Sequence, residues 1–263
     1  MLVHAPPGLP RDGALPIVLF LHGWGGCARV LVHSGPRPCR EGEPARTGWG
    51  LGAAHDAAGL SSVLILPQLA WRRRSGAPGA LGRRGFARAL VEGSLEAALE
   101  TSGHPNPHSR AGSVTLIAHS AGFESALAVL AQGDIDVRTL ILMDALYAGT
   151  DRFAAWLLAS PERRLLSFFR GRGSTARESE RLRSLLEARL GPEAVLRTLP
   201  PDEGAEAPSW RAFIGRSSAP HAEIPARHLS EALVAAAIAE PRLPSERGAP
   251  RPGALSPRPR PTR

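Results

Sequence analysis

Residues 114–125, VTLIAHSAGFES, constrain the fold of this chain most, because an apolar run leads directly into a serine and then into helix-forming residues. The apolar run is typical of a buried strand. Small residues surround Ser120 and leave room for a sharp turn from strand to helix: Ala118, Ala121 and Gly122. Such a turn strains the backbone at the serine and exposes its hydroxyl. The alternative is that Ser120 only caps the helix that follows.

A second apolar strand is predicted at residues 17–21, and it ends in the glycine-rich turn His22-Gly23-Trp24-Gly25-Gly26. A turn of this kind can point backbone N–H groups into an open site. There they can hold the negative oxygen that forms when a carbonyl is attacked. An ordinary glycine turn, with Trp24 as a packing residue, is the alternative.

Together, the two segments resemble the nucleophile elbow and the oxyanion loop of the α/β-hydrolase family. The family motif is Gly-x-Ser-x-Gly, and Ala118 stands in place of its first glycine. The resemblance implies that Ser120 is the nucleophile. It also implies that the backbone N–H groups of Trp24 and Ala121 form the oxyanion hole. It covers residues 6–240, with specific motifs at these two points and near the last histidine.

A serine nucleophile needs a base, which in this family is a histidine after the last strand. Residues 210–215 are predicted to form that strand, and His221 lies in the loop that leaves it. We therefore expect His221 to be the general base and acid. His228, in the helix predicted at residues 226–237, is the alternative. Four further histidines are expected in loops or on helix surfaces, exposed to solvent: His33, His55, His104 and His108.

The third member of the expected triad is a carboxylate that orients the histidine. The strand predicted at residues 139–143 ends directly in Asp144. The loop after the next predicted strand, residues 171–175, contains no acidic residue. We therefore expect Asp144 to orient His221. Asp151 is the alternative, although a cap on the next helix explains it as well.

Strand-like and helix-like segments alternate along the chain, which predicts the α/β class with a mostly parallel sheet and helices on both faces. The strands are expected at 17–21, 62–66, 114–118, 139–143, 165–170 and 210–215, and helices at 85–100, 121–132 and 179–190. The resemblance makes this an α/β-hydrolase fold in a single domain, residues 1–240. Residues 1–7 match the family's second strand, so its first strand has no counterpart.

The connections around the expected site differ in length. Between Asp144 and Leu165 there is room for one short helix, so we expect no large lid domain. Residues 27–48 form a long connection that we expect to wall the site, because long loops without their own secondary structure are commonly functional. Cys27 and Cys39 bracket most of it. A disulfide between them is one alternative, and two unrelated thiols, which we favour, is the other.

The formal net charge of +8 does not by itself indicate a nucleic-acid partner. All 32 basic residues are arginine, which points to coding bias in a GC-rich genome, and the arginines are scattered. Residues 241–263, rich in proline and arginine, are expected to form a disordered tail that inflates the charge. We expect no specific nucleic-acid partner.

The sequence contains no run of apolar residues long enough to span a membrane and no signal peptide, so a cytoplasmic location is expected of the chain as written. Export stays open if the true N-terminus lies further upstream. No histidine or cysteine spacing typical of a metal site is present, and no phosphate-binding loop. We therefore expect no metal ion and no cofactor.

These patterns predict a serine hydrolase that cleaves a small acyl compound, most plausibly a carboxylic ester, through an acyl-enzyme on Ser120. An acyltransferase or an amidase would use the same triad. A binding protein built on the same fold would keep the core without catalysis. The sequence leaves the substrate and the oligomeric state open.

Overall fold

The structure is a computed structural model that describes residues 1–70, 76–106, 108–199 and 210–239. The predicted domain end at residue 240 and the predicted tail, residues 241–263, lie outside the described residues.

An eight-stranded sheet forms the centre of the described chain. Its strands are β1 Leu2–His4, β2 Ala14–Leu21, β3 Val63–Leu66, β4 Arg110–His119, β5 Val137–Met143, β6 Arg164–Arg170, β7 Val195–Leu196 and β8 Ala212–Ser217. The order across the sheet is β1-β3-β2-β4-β5-β6-β8-β7. Only β1 runs antiparallel to its neighbour within this sheet. The predicted α/β class and the mostly parallel sheet are confirmed.

The strands are apolar on both sides because helices cover both faces of the sheet. On β2, alternate residues enter different cores: Leu19 packs on one face and Phe20 on the other. Both side chains are fully buried. This is why the strands could be located in the sequence as continuous apolar runs.

Seven helices lie within the described residues: α1 Ala28–Leu31, α2 Leu51–Ala57, α3 Phe86–Ser102, α4 Gly122–Gln132, α5 Thr150–Leu158, α6 Ser174–Leu190 and α7 Ile224–Ala239. Residues of α3, α4, α5 and α6 pack into the core that contains Leu19. Residues of α1, α2 and α7 pack into the core that contains Phe20. The expected helical layers on both faces are therefore present. None of these helices combines the length and the apolar character needed to cross a bilayer.

The structure corrects three expectations from the sequence. Cys27 and Cys39 are joined in a disulfide, so the preference for two free thiols was wrong. The connection predicted to lack secondary structure, residues 27–48, contains α1. His55, expected at a solvated surface, is fully buried on α2. The sequence does not reveal a buried helix face at residues 51–57, because seven residues are too few to show a helical period.

Candidate active site

Ser120 occupies the sharp turn between β4, which ends at His119, and α4, which begins at Gly122. Its φ is +54°, a left-handed conformation that costs a residue with a side chain about 1–2 kcal/mol. The Ser120 N–H still donates to the Met143 carbonyl of the neighbouring strand, at 3.3 Å. The turn therefore holds a half-buried serine at the carboxyl end of the sheet.

Two glycines allow the loop after β2 to lie against this turn. A Cβ atom on Gly23 would lie 2.5 Å from the Cβ atom of Ser120, and one on Gly122 would collide with the Leu21 carbonyl oxygen. Both positions therefore require glycine. Ala118, two residues before Ser120, is fully buried.

Two backbone N–H groups follow the residues that meet in this contact, Gly23 and Ser120. In the part of the chain that the structure describes, neither the Trp24 N–H nor the Ala121 N–H has a hydrogen-bond partner. Ala121 is 6% exposed and caps the N-terminus of α4. Its unpaired N–H attracts negative charge there, because the helix dipole adds to its own.

His22 anchors the loop that carries Trp24. Its Nδ1–H donates to the Gly23 carbonyl at 2.8 Å, and its Nε2 accepts from the Leu69 N–H at 3.0 Å. A carbonyl can only accept and an amide N–H can only donate, so these partners fix one neutral tautomer. Burial is the main cause that lowers the pKa of His22, and the Arg46 charge adds to it.

The other end of this loop is held covalently and by a charge. Cys27, at the start of α1, forms the disulfide with Cys39. The Arg46 guanidinium donates to the Gly25 carbonyl at 2.6 Å. The glycine-rich turn is thus fixed from both sides, although its own residues supply little packing.

Asp144 follows β5 directly, in a left-handed conformation with φ of +45°. Its buried carboxylate accepts hydrogen bonds from His221 Nδ1 at 2.6 Å and from Thr175 Oγ1 at 2.5 Å. The Arg170 N–H adds a third, at 3.3 Å. Burial alone would raise the pKa of Asp144, but these hydrogen bonds outweigh it and hold the pKa below its usual value.

His221 lies in the loop after β8, in a short 3₁₀ turn that leads into α7. The His119 ring packs on the His221 ring, with centroids 4.6 Å apart, and His119 Nε2–H donates to the His221 carbonyl at 3.0 Å. Burial, helped by the nearby His221, lowers the pKa of His119 to about 3. His119 is therefore neutral, and its ring and its hydrogen bond hold His221 in place.

Tyr147 lies beside His221 and is 39% exposed. The Tyr147 ring stands edge-on to the His221 ring, with centroids 6.5 Å apart. Among the described residues, no hydrogen bond joins Ser120 to His221. The structure thus pairs Asp144 with His221 and leaves the Ser120 hydroxyl without a hydrogen bond to that pair.

The two alternative residues have partners of their own. Asp151 lies in the first turn of α5 and forms an exposed ion pair with Arg181, 2.7 Å apart, while Gly149 caps the helix. His228 lies on α7, with its ring bonded to Glu231 and to Ser217 Oγ. Ser217 ends β8, so His228 steadies the strand end from which the His221 loop departs.

Sequence reasoning missed Thr175 and Tyr147, neither of which lies in a recognisable motif. Thr175 is the second residue of α6, which follows β6, and Asp144 follows the neighbouring strand β5. Once the neighbouring positions of β5 and β6 are known, the carboxyl ends of these parallel strands place the two residues at one edge. The order of the strands was the missing signal.

No family model matches the chain, and no curated protein sequence matches it. The fold and the geometry of the site therefore carry the functional argument.

Proposed function

We propose that this chain is an α/β-hydrolase without a lid domain, a serine hydrolase that cleaves carboxylic esters through an acyl-enzyme on Ser120. One observation carries the proposal: a strained serine, followed by the unpaired N–H group of Ala121, lies at the same sheet edge as His221 paired with the buried Asp144. The strain and the unpaired N–H group cost folding free energy, and acyl transfer is a reaction that uses them together with the paired histidine.

In the proposed reaction, His221 Nε2 takes the proton of the Ser120 hydroxyl while Oγ attacks the ester carbonyl. The carbonyl oxygen becomes negative and accepts from the Trp24 and Ala121 N–H groups. When the tetrahedral intermediate collapses, the bond to the alcohol oxygen breaks and His221 returns the proton to that oxygen. Water then attacks the acyl-enzyme in the same way and releases the acid.

Asp144 has two roles in this scheme. Because its carboxylate accepts from Nδ1, Nε2 carries the lone pair that the reaction needs. Its charge also stabilises the imidazolium that forms when His221 takes the proton. The low pKa of Asp144 keeps that charge in place at neutral pH.

The missing hydrogen bond between Ser120 and His221 sets one requirement. The Ser120 hydroxyl must turn toward His221 Nε2 before its proton can move. Catalytic hydrogen bonds often form only when substrate is bound, so we expect this bond in the substrate complex.

Chain order and insertions support the family assignment. The three proposed residues follow β4, β5 and β8, in the family order serine, aspartate, histidine. Between Asp144 and β6 the chain forms only the nine-residue helix α5, which agrees with the absence of a lid domain.

A fluorophosphonate probe followed by mapping of the labelled residue tests the proposal. We expect labelling at Ser120 and hydrolysis of short p-nitrophenyl esters. Ser120→Ala should abolish labelling and lower turnover by about 10⁴-fold or more, because nothing else replaces the nucleophile. Ser184→Ala, on the exposed face of α6, is the matched control and should leave both unchanged.

A second candidate function is a non-catalytic binding protein on the same fold. It is favoured by the missing hydrogen bond between Ser120 and His221. Wild-type protein that reacts with no fluorophosphonate and cleaves no ester, but folds normally, would support this alternative.

A further inference from the structure

Three residues from two distant parts of the chain lie close together beside the edge of the sheet. His4 ends β1, and His55 and Asp56 lie on α2. Within the described residues they form the one group of three whose nitrogen and carboxylate oxygen atoms lie within 4.8 Å of one another. His4 Nε2 and Asp56 Oδ1 are 2.7 Å apart.

His55 has a ring nitrogen without a partner. The residue is fully buried, and its Nε2 lies 2.8 Å from Ser62 Oγ. Its buried Nδ1 has no hydrogen-bond partner among the described residues. An unpaired buried polar atom destabilises the fold unless a ligand satisfies it. When Nε2–H donates to Ser62, Nδ1 carries a lone pair, which is the form that a metal ion binds.

We propose that His4, His55 and Asp56 form a binding site for Zn²⁺. The ligands are His4 Nε2, His55 Nδ1 and an Asp56 carboxylate oxygen, with water in the fourth position. Two imidazoles and one carboxylate suit Zn²⁺. They do not suit Ca²⁺ or Mg²⁺, which prefer oxygen ligands throughout.

The surroundings of the cluster fit this assignment. Histidines that bind a metal usually donate their other N–H to a fixed acceptor, and Ser62 occupies that position for His55. The side chains of His4 and Asp56 are 28% and 46% exposed, so both can move. Tetrahedral Zn²⁺ needs ligand atoms about 3.3 Å apart, which small rotations of these two side chains provide around the fixed His55 ring.

The site has a structural role. β1 is a three-residue strand at the edge of the sheet, and β3 is its only neighbouring strand. A metal ion shared by β1 and α2 joins this short strand to the helical layer. Two strands, β3 and β2, separate β1 from β4, which precedes Ser120, so we expect Zn²⁺ to change stability and not ester hydrolysis.

Calorimetric titration of Zn²⁺ into the full chain, free of an affinity tag and treated with chelator, tests the site. We expect one ion per chain and a rise in melting temperature that chelator reverses, because an ion that binds only the folded state stabilises it. Co²⁺ should give the visible bands of a tetrahedral site without thiolate charge transfer.

Variants separate this site from other histidines. His4→Gln and Asp56→Asn remove exposed ligands, and each should weaken Zn²⁺ binding by about 100-fold or more, since even partners outside the ligand shell contribute 10–100-fold. His33→Gln and Asp12→Asn change exposed residues outside the cluster and should leave the affinity unchanged. Affinity is read on folded protein, so an effect of a variant on basal stability does not obscure it.

Two outcomes would overturn the proposal. One is the absence of Zn²⁺ binding to the wild-type chain. The other is binding of equal strength in the double variant His4→Gln/Asp56→Asn, which would show that the ion binds elsewhere.

Discussion

Asp144 combines burial, a left-handed backbone and three hydrogen bonds, and this combination makes its role testable. Asp144→Asn keeps the shape but lacks the charge, and its amide can hold the wrong tautomer of His221. We expect kcat for a p-nitrophenyl ester to fall by about 10²–10⁴-fold. Steady-state kinetics at neutral pH measures this.

Asp151→Asn is the matched control for that substitution. Asp151 is 66% exposed and forms an ion pair with Arg181 at the surface. Exposed ion pairs contribute little to stability, so Asp151→Asn should change kcat by less than about twofold. The reverse ranking would transfer the orienting role to Asp151.

Thr175 is expected to act through Asp144. Thr175→Val keeps the volume and removes the hydroxyl that donates to the carboxylate at 2.5 Å. A hydrogen bond to a charged group contributes about 1.5–3 kcal/mol, so we expect kcat to fall by about 10-fold or more with KM little changed. Thr175→Ser restores the donor and should recover most of the activity. Equal kcat for the wild type and the valine variant would rule this role out.

Among the site residues, the sequence could locate those that follow the end of a predicted strand. Ser120, Asp144 and His221 each follow a predicted strand, so their common edge could be expected. Tyr147 could not, because its position beside His221 depends on the path of the loop after β5. The orphaned ring nitrogen of His55 was equally invisible, since it depends on which groups fail to reach it.

The loop between β2 and α1 depends on its glycines more than on its packing. Gly23→Ala would push a methyl group into Ser120, and the loop must shift to relieve the contact. We expect turnover to fall by about 10-fold or more, because the Trp24 N–H moves away from the oxyanion, and the loss of one such donor costs 10²–10³-fold.

Gly93→Ala is the control for the loop variant. Gly93 lies on α3, and a Cβ there meets nothing within 4 Å. Because alanine favours helix over glycine, we expect a gain of about 1 kcal/mol in unfolding free energy and unchanged turnover. Unchanged turnover in Gly23→Ala as well would remove Trp24 from the oxyanion hole.

The disulfide is expected to stabilise the fold by lowering the conformational entropy of the unfolded chain. Cys27 and Cys39 are 12 residues apart, and closing a loop of this size contributes about 3 kcal/mol. The double variant Cys27→Ser/Cys39→Ser should lose about that much unfolding free energy in a denaturant titration. Reduction of the wild type should give the same loss, and an unchanged midpoint in both would contradict the expectation.

Long elements could be predicted from the sequence, and short ones could not. β5 is predicted at 139–143 and spans Val137–Met143, because residues 140–143 form a buried apolar run, whereas Arg138 interrupts the pattern before it. The four-residue α1 and the two-residue β7 were missed, since neither is long enough to show a period. Contacts with the rest of the fold define such elements.

The molecule as a whole should be sensitive to acid, because it buries neutral histidines. Burial holds the pKa of His119 at about 3, against 6.5 in an unfolded chain, and lowers that of His22. As the pH falls from 6.5 toward 3, His119 binds a proton in the unfolded state but stays neutral in the folded state. Unfolding free energy should fall by about 1.4 kcal/mol per pH unit for each such histidine.

Denaturant titrations across this range measure that slope. His119→Gln removes one of these buried rings and should make the slope shallower by about one proton. Asp144 adds a loss only below pH 3.8, because its pKa is lowered by folding and its stabilising charge persists above that value. Equal slopes for the wild type and His119→Gln would contradict this account.

The fold class followed from the sequence, but the order of the strands did not. Alternating strands and helices predict a covered parallel sheet whatever the order. The chain instead moves back to place β3 outside β2 before crossing to β4, a choice set by contacts between distant segments. That order puts the loop after β2 beside Ser120 and brings β1 to α2.

Among the described residues, Ser120 and Asp144 are the only ones other than glycine that have a left-handed backbone conformation. Ser120→Gly would release about 1–2 kcal/mol of strain, against about 0.5–1 kcal/mol of added chain entropy. A laboratory selection that rewards heat resistance alone would therefore enrich glycine at position 120. Such a selection would yield chains that withstand heat and turn over nothing, so catalytic turnover has to be scored in every round.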